Sequence, residues 1–207
     1  MNILHITCSP RGKSAESYLL SQRILARLLE KNPQANIISR DLWADQLPHV
    51  DSDYAASLGG TRQFSGEESK TGSLGMSERL IVELESADCI VIGTPMHNFT
   101  VPSVLKAWID HVVRIHRTFN ATPEGKVGLL ADRPVFIAAS SGGHRIGERS
   151  RQPDFLEPYL RAILATIGLH RLTFFTVQGT AFGPEPLAGA KLEADQAIAG
   201  HFNSARS

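Results

Sequence analysis

Five short apolar runs, each followed by a segment with helical periodicity, constrain what this chain can fold into more than any other feature. The runs are "NILHIT" (2–7), "ANIISRDL" (35–42), "DCIVIGT" (88–94), "PVFIAAS" (134–140) and "HRLTFFTVQG" (170–179). After the first comes "SAESYLLSQRILARLLEKN", whose Tyr18, Leu19, Ile24, Leu25, Leu28 and Leu29 recur at roughly helical spacing. The same criterion predicts helices over 75–87 (with Ser77 as a candidate cap), 101–119, 155–168 and 185–202. Strands alternating with helices through short connections require a parallel sheet covered by helices on both faces. Its length of 207 residues suits a single domain, 1–207, with a full core. Residues 43–75 read as a long loop with a short helix, and a loop of that length in a compact domain is often functional. Residues 120–133 have hairpin character.

Composition removes several classes of partner. Lys+Arg and Asp+Glu are equal at 21 each, so there is no net positive charge to hold a polyanion, and no nucleic acid is expected. No apolar stretch reaches the length of a membrane span, and the N-terminus lacks the basic leader and apolar run of a signal peptide. Cys8 and Cys89 do not make a disulfide framework, and the expected location is the cytoplasm. The eight histidines are scattered, so no metal site is expected.

In an open parallel sheet, ligands bind beyond the carboxyl ends of the strands, where strand order reverses. Three loops answer to that description. "TCSPRGKSAES" (7–17) lies before the first helix, whose free N–H groups suit a phosphate. "GKS" imitates the end of a nucleotide P-loop, but Thr7 stands where that pattern needs glycine. Cys8 and Arg11 suggest a phosphatase thiolate, but Ser14 stands where the arginine belongs. The loop is either a hydroxyl-rich cradle for one phosphate group or a serine-rich turn and helix cap. In "SSGGHR" (140–145), Gly142 and Gly143 make either an anion-binding nest or a plain tight turn. In "GTPMHNFTVP" (93–102), Pro95 ends the strand, Asn98 or Thr100 caps the next helix, and Pro102 falls in its first turn. Residues 96–99 are left to present backbone and side chains to a flat heteroaromatic ring.

With these loops in view the chain resembles the FMN-dependent NADH-azoreductase family of NAD(P)H quinone reductases. The likeness runs over nearly the whole chain. It is carried by "SPRG" with a downstream serine, "TPM-x-NF-x-VPS-x-LKAWID", "R-x-x-x-TF", "VGLL" and "S-x-GGH". The resemblance implies a flavodoxin-like α/β fold, with a five-stranded parallel sheet in the order 2-1-3-4-5. It implies FMN as cofactor, with NADH or NADPH as electron donor and a quinone or azo acceptor. Quinones would be reduced, and aromatic azo compounds cleaved to amines, by ping-pong hydride transfer in a homodimer. Ser9 and residues Ala15, Glu16 and Ser17 would cradle the phosphate. Pro95, Met96, His97, Asn98 and Phe99 would hold the ring edge, and Ser140, Ser141, Gly142 and Gly143 its other side. Phe119 and His144 would line the substrate pocket.

Three positions depart from the family pattern. Ala15 replaces a serine, His97 a tyrosine, and Ser141 an arginine. His97 and His144 are candidate proton donors, because an imidazole titrates near neutrality; His97 could equally be a polar filler and His144 could point to solvent. Arg62 and Lys70 are candidates to meet a 2′-phosphate on the donor. Two rival readings are a flavodoxin-type electron carrier and a flavin-binding module without catalysis.

Overall fold

The computed structural model describes residues 1–58 and 71–204; Arg62 and Lys70 lie outside them. Five parallel strands form its sheet: β1 (Asn2–Thr7), β2 (Asn36–Asp41), β3 (Cys89–Pro95), β6 (Val135–Ser140) and β7 (Leu172–Val177), in the order β2-β1-β3-β6-β7. The expected order 2-1-3-4-5 numbered only these five. The hairpin β4 (Phe119–Thr122) and β5 (Gly125–Gly128) intervenes as a separate antiparallel pair, so the last two sheet strands become β6 and β7.

Alternation along the strands builds two cores. On one face Ile3, Val91, Phe136 and Phe175 pack against Leu20, Ile24 and Leu28 of α1 (Glu16–Lys31) and Ala194, Ile198 and Phe202 of α6 (Pro184–Ser204). On the other, Leu4, Ile6, Ile90, Ile92 and Ile137 meet α3 (Gly72–Ser86), α4 (Ser103–Val112) and α5 (Leu156–Thr166) through Leu80, Ile81, Leu84, Leu105, Trp108 and Leu160. A short helix, α2 (Ser52–Leu58), lies in the long 43–75 segment. From β1 the chain passes to β2 on one side and then crosses to β3 on the other. The loops after β1 and β3 therefore diverge and leave a crevice between them.

Three local expectations are corrected. The helix expected over 101–119 stops at Val112. Thr118 Oγ1 donates to the Val112 carbonyl at 2.6 Å and accepts the Arg114 N–H at 2.9 Å, replacing helical bonds, and His116 takes a φ of +63°. Phe119 thus opens β4 instead of closing a helix. Ser77 is not a cap: α3 starts five residues earlier, and the buried Ser77 hydroxyl donates to the His111 carbonyl at 2.6 Å, pinning α3 to α4. Pro102 is itself the N-cap residue of α4, and neither Asn98 nor Thr100 caps it.

Candidate active site

The start of α1 faces the crevice with its capping role unfilled. Ala15 holds the extended backbone of an N-cap (φ −70°, ψ 138°) but makes no side-chain cap hydrogen bond. A helix start has orphan N–H groups and a partial positive charge, so an uncapped start is an anion site in waiting. Ser17, in the first turn, is fully buried and its Oγ has no partner. Ser9 is buried, and its Oγ accepts the Arg11 N–H at 3.2 Å. The Ser14 hydroxyl is spent on the Arg11 carbonyl at 2.8 Å. The Glu16 carboxylate pairs with Lys191 at 2.9 Å, which leaves the backbone N–H as the group residue 16 can offer an anion. Gly93 lets the helix start come close to β3: a Cβ there would stand 3.0 Å from the Ser17 carbonyl oxygen.

Residues 97–100 form a two-residue hairpin turn. His97 N–H donates to the Thr100 carbonyl at 2.9 Å, and Thr100 N–H returns to the His97 carbonyl at 3.0 Å. Asn98 and Phe99 between them both have positive φ, +48° and +69°. Asparagine tolerates that region. For phenylalanine it stores strain of about 1–3 kcal/mol, the kind of cost that clusters at functional sites. The turn is held by a bond from the Phe155 N–H to the Phe99 carbonyl (3.0 Å), and Met96 N–H ties its base to the Ser140 carbonyl (2.7 Å).

The turn after β6 completes the cleft, but not as a nest. Neither Gly142 nor Gly143 is in the left-handed region, so the alternating backbone of a nest is absent. The end of the Gln152 side chain lies over Gly143, where a Cβ would stand 2.7 Å from its Oε1. Gln152 Nε2 reaches on to Met96 Sδ at 3.4 Å, joining the second and third loops. Ser141 N–H is engaged by the Val177 carbonyl, and its hydroxyl by the Gly143 carbonyl at 2.7 Å.

Nine of the expected residues share one cleft of about 260 Å³: Ser9, Ala15, Glu16, Pro95, Met96, His97, Ser140, Ser141 and Gly142. Thr180 and Ala181, from the loop after β7, also line it. They lie beyond a strand end other than the three the sequence pattern singles out. The same end-of-strand rule, applied to "QGTAFG" after the last strand, would have found them. His97 also opens onto a neighbouring cavity of about 450 Å³ with Asn98, Thr100, Val101, Lys106 and Tyr159. Phe99 is exposed.

Two residues expected at a substrate pocket lie away from the cleft wall. His144 stacks on Phe182 at 5.4 Å, outside the cleft wall. Phe119 is buried beyond the far end of α4, under the Lys126 ammonium at 5.0 Å. Cys8 is buried, its thiol directed to the Gly93 carbonyl at 3.4 Å and pushed up to about 12 by burial. It supplies no thiolate, which removes the phosphatase chemistry. Among the described residues no cluster of three His, Cys, Asp or Glu could hold a metal, and no helix is long and apolar enough to cross a membrane.

A doubly wound parallel sheet with one cleft at its switch point, beside an uncapped helix start, defines a mononucleotide-binding α/β protein. The chain belongs to the family described as having a flavodoxin-like fold, whose model matches residues 1–202. It is 47% identical over 197 residues to FMN-dependent NADH:quinone oxidoreductase 4 of Pseudomonas fluorescens, covering 95% of this chain and 93% of that one. It is 45% identical over 180 residues to FMN-dependent NADH:quinone oxidoreductase 5 of Burkholderia lata, covering 87% and 86%. Among solved structures, an FMN-dependent NADH-azoreductase from Bacillus anthracis in complex with FMN superposes with a TM-score of 0.78 at 26% identity, covering 96% of this chain and 97% of that one.

Proposed function

We propose that this chain is an FMN-dependent NADH:quinone oxidoreductase that also cleaves aromatic azo compounds, acting as a single FMN-binding domain in a cytoplasmic homodimer. The observation that carries the reading is the start of α1, where Ala15 leaves the helix uncapped and the buried Ser17 Oγ has no partner. A phosphate satisfies both at once, and the residues fit the group on that ground. Bound there, FMN would supply the two-electron redox chemistry between NADH and a quinone or azo acceptor.

The work of the protein is placement and charge. Ser9, Ser17 and the backbone N–H groups of Glu16 and Ser17 would hold the phosphate beside Ala15, whose own N–H is engaged by the Gly12 carbonyl at 3.2 Å. Pro95, Met96, His97, Asn98 and Phe99 border the ring on one side, in a turn already fixed by its own hydrogen bonds. Ser140, Ser141, Gly142 and Gly143 border the other. With the Ser141 N–H engaged, the Gly142 and Gly143 amides are the donors toward negative charge on the ring. His97 stands between the cleft and the larger neighbouring cavity, where it can pass a proton to the acceptor. His144 stands beside the cleft, and Phe119 would line the pocket near the dimer contact. Donor and acceptor use one place in turn, so initial rates with NADH and a benzoquinone should give parallel reciprocal plots. Intersecting plots would refute the shared site. No NADH oxidation with either a quinone or an azo dye would leave the electron carrier or the binding module.

A further inference from the structure

A further cavity, of about 430 Å³, lies on the sheet and shares no lining residue with the cleft. α1 packs most closely on β3, β6 and β7, and the cavity lies between it and the β1–β2 edge of that face. The parallel register sets its polar groups in rows: His5 beside Ser39, and Thr7 beside Asp41. Leu25 and Ile37 give it an apolar floor, and Tyr18 an aromatic wall, with ring centroids of Tyr18 and His5 6.0 Å apart.

The protonation of His5 follows from its neighbours. Ser21 Oγ donates its one proton to the Tyr18 carbonyl at 2.7 Å. Its 2.8 Å contact with His5 Nε2 must therefore be a bond donated by the imidazole. Burial lowers the His5 pKa to about 4, so the ring is neutral at pH 7. Nδ1 is then an acceptor on a residue that lines the cavity, and an occupant can bring an N–H or O–H to it in place of water. Two residues further along the strands, about 7 Å, Asp41 closes β2. Asp41 Oδ1 accepts the Trp43 and Ala44 amides at 3.0 and 3.2 Å, which leaves Oδ2. A carboxylate at the end of the second strand, beside the loop after the first, is where dinucleotide-binding sheets hold ribose hydroxyls. Lys13, in the short helical turn Gly12–Ser14, adds a positive charge to the cavity wall.

We propose that this groove binds the adenosine phosphate of a nucleotide, with the exocyclic amine on His5 Nδ1, the ribose hydroxyls on Asp41 and the phosphate toward Lys13. The base stacks against Tyr18 over Leu25 and Ile37. The adenylate is either free or the adenosine half of NADH. Isothermal titration of the FMN-loaded protein with AMP tests the site, with ligand analogues that leave the protein intact. AMP is expected to bind. Purine riboside 5′-monophosphate, which lacks the amine, and 2′-deoxy-AMP are each expected to bind about tenfold more weakly. Asp41→Asn, which keeps the Oδ1 acceptor, should weaken AMP by about tenfold and 2′-deoxy-AMP little. AMP inhibition competitive with NADH would support the site as the seat of the donor's adenosine half, and noncompetitive inhibition would support it as a separate one. No binding of AMP at millimolar concentration, or binding indifferent to both analogues and to Asp41→Asn, would overturn the proposal. The flavin assignment would stand in that case, because no residue lining this groove lines the cleft assigned to FMN.

Discussion

Ala15→Ser asks directly whether the start of α1 is an unfilled anion site. Residue 15 already has N-cap backbone angles, φ −70° and ψ 138°, so a serine needs no rearrangement to cap the helix. The position is 3% exposed, so water competes little for the new bond. Replacing alanine by serine at an N-cap is worth about 1 kcal/mol, within a range of about 0.5–2. For a chain of this size that is a rise in Tm of about 2–4 °C. The rise should appear in the flavin-free protein, read by thermal unfolding. At saturating FMN it should shrink toward zero, because the phosphate then satisfies the same N–H groups in either variant. An unchanged or lowered Tm without flavin would mean that those groups are already satisfied within the protein. An equal gain with and without FMN would mean that the phosphate sits elsewhere. Either result refutes the reasoning.

Three further perturbations test other parts of the account. Gly93→Ala places a Cβ 3.0 Å from the Ser17 carbonyl and 3.2 Å from Ser21 Oγ, so α1 must shift. The expected cost is about 1–3 kcal/mol with weaker FMN binding, read by urea unfolding and flavin titration; no change in either would contradict the close approach. Phe99→Gly should be tolerated, whereas Phe99→Val, β-branched at a φ of +69°, should cost about 1–2 kcal/mol. Equal stability of the two variants would show that the turn is not strained as described. His5 titrates at 6.5 when unfolded and at about 4 when folded. Between those values the unfolded chain binds the extra proton, so stability falls as pH drops from 6.5 toward 4, by up to about 3 kcal/mol. Unfolding at pH 7.5 and 4.5 should show that part of the drop missing in His5→Leu.

The parallel sheet was legible because its strands are continuous apolar runs, and runs buried on both faces occur where helices cover both sides. The cleft was legible for the same reason: once strand ends are known, the loops beyond them are known too. What failed was local. Residues 113–118 continue the apolar periodicity of α4, but a single hydroxyl, that of Thr118, takes over the helix-end bonds. No periodicity reports such a competition. Gly142 and Gly143 left a nest and a plain tight turn equally open, and only their backbone angles, neither in the left-handed region, decide for the turn. The use of Ser77 at a helix–helix contact and the unpartnered Ser17 Oγ are products of tertiary packing.

The proposed seat of the FMN phosphate is the start of α1, in the cleft between the loops after β1, β3 and β6. Titrating flavin-free protein with FMN, while following both the flavin spectrum and the melting temperature, tests it most directly. One FMN should bind per chain and raise the Tm by mass action, and riboflavin, which lacks the phosphate, should do so far less. A colourless protein whose Tm is indifferent to FMN, or one that riboflavin stabilises equally well, would contradict it.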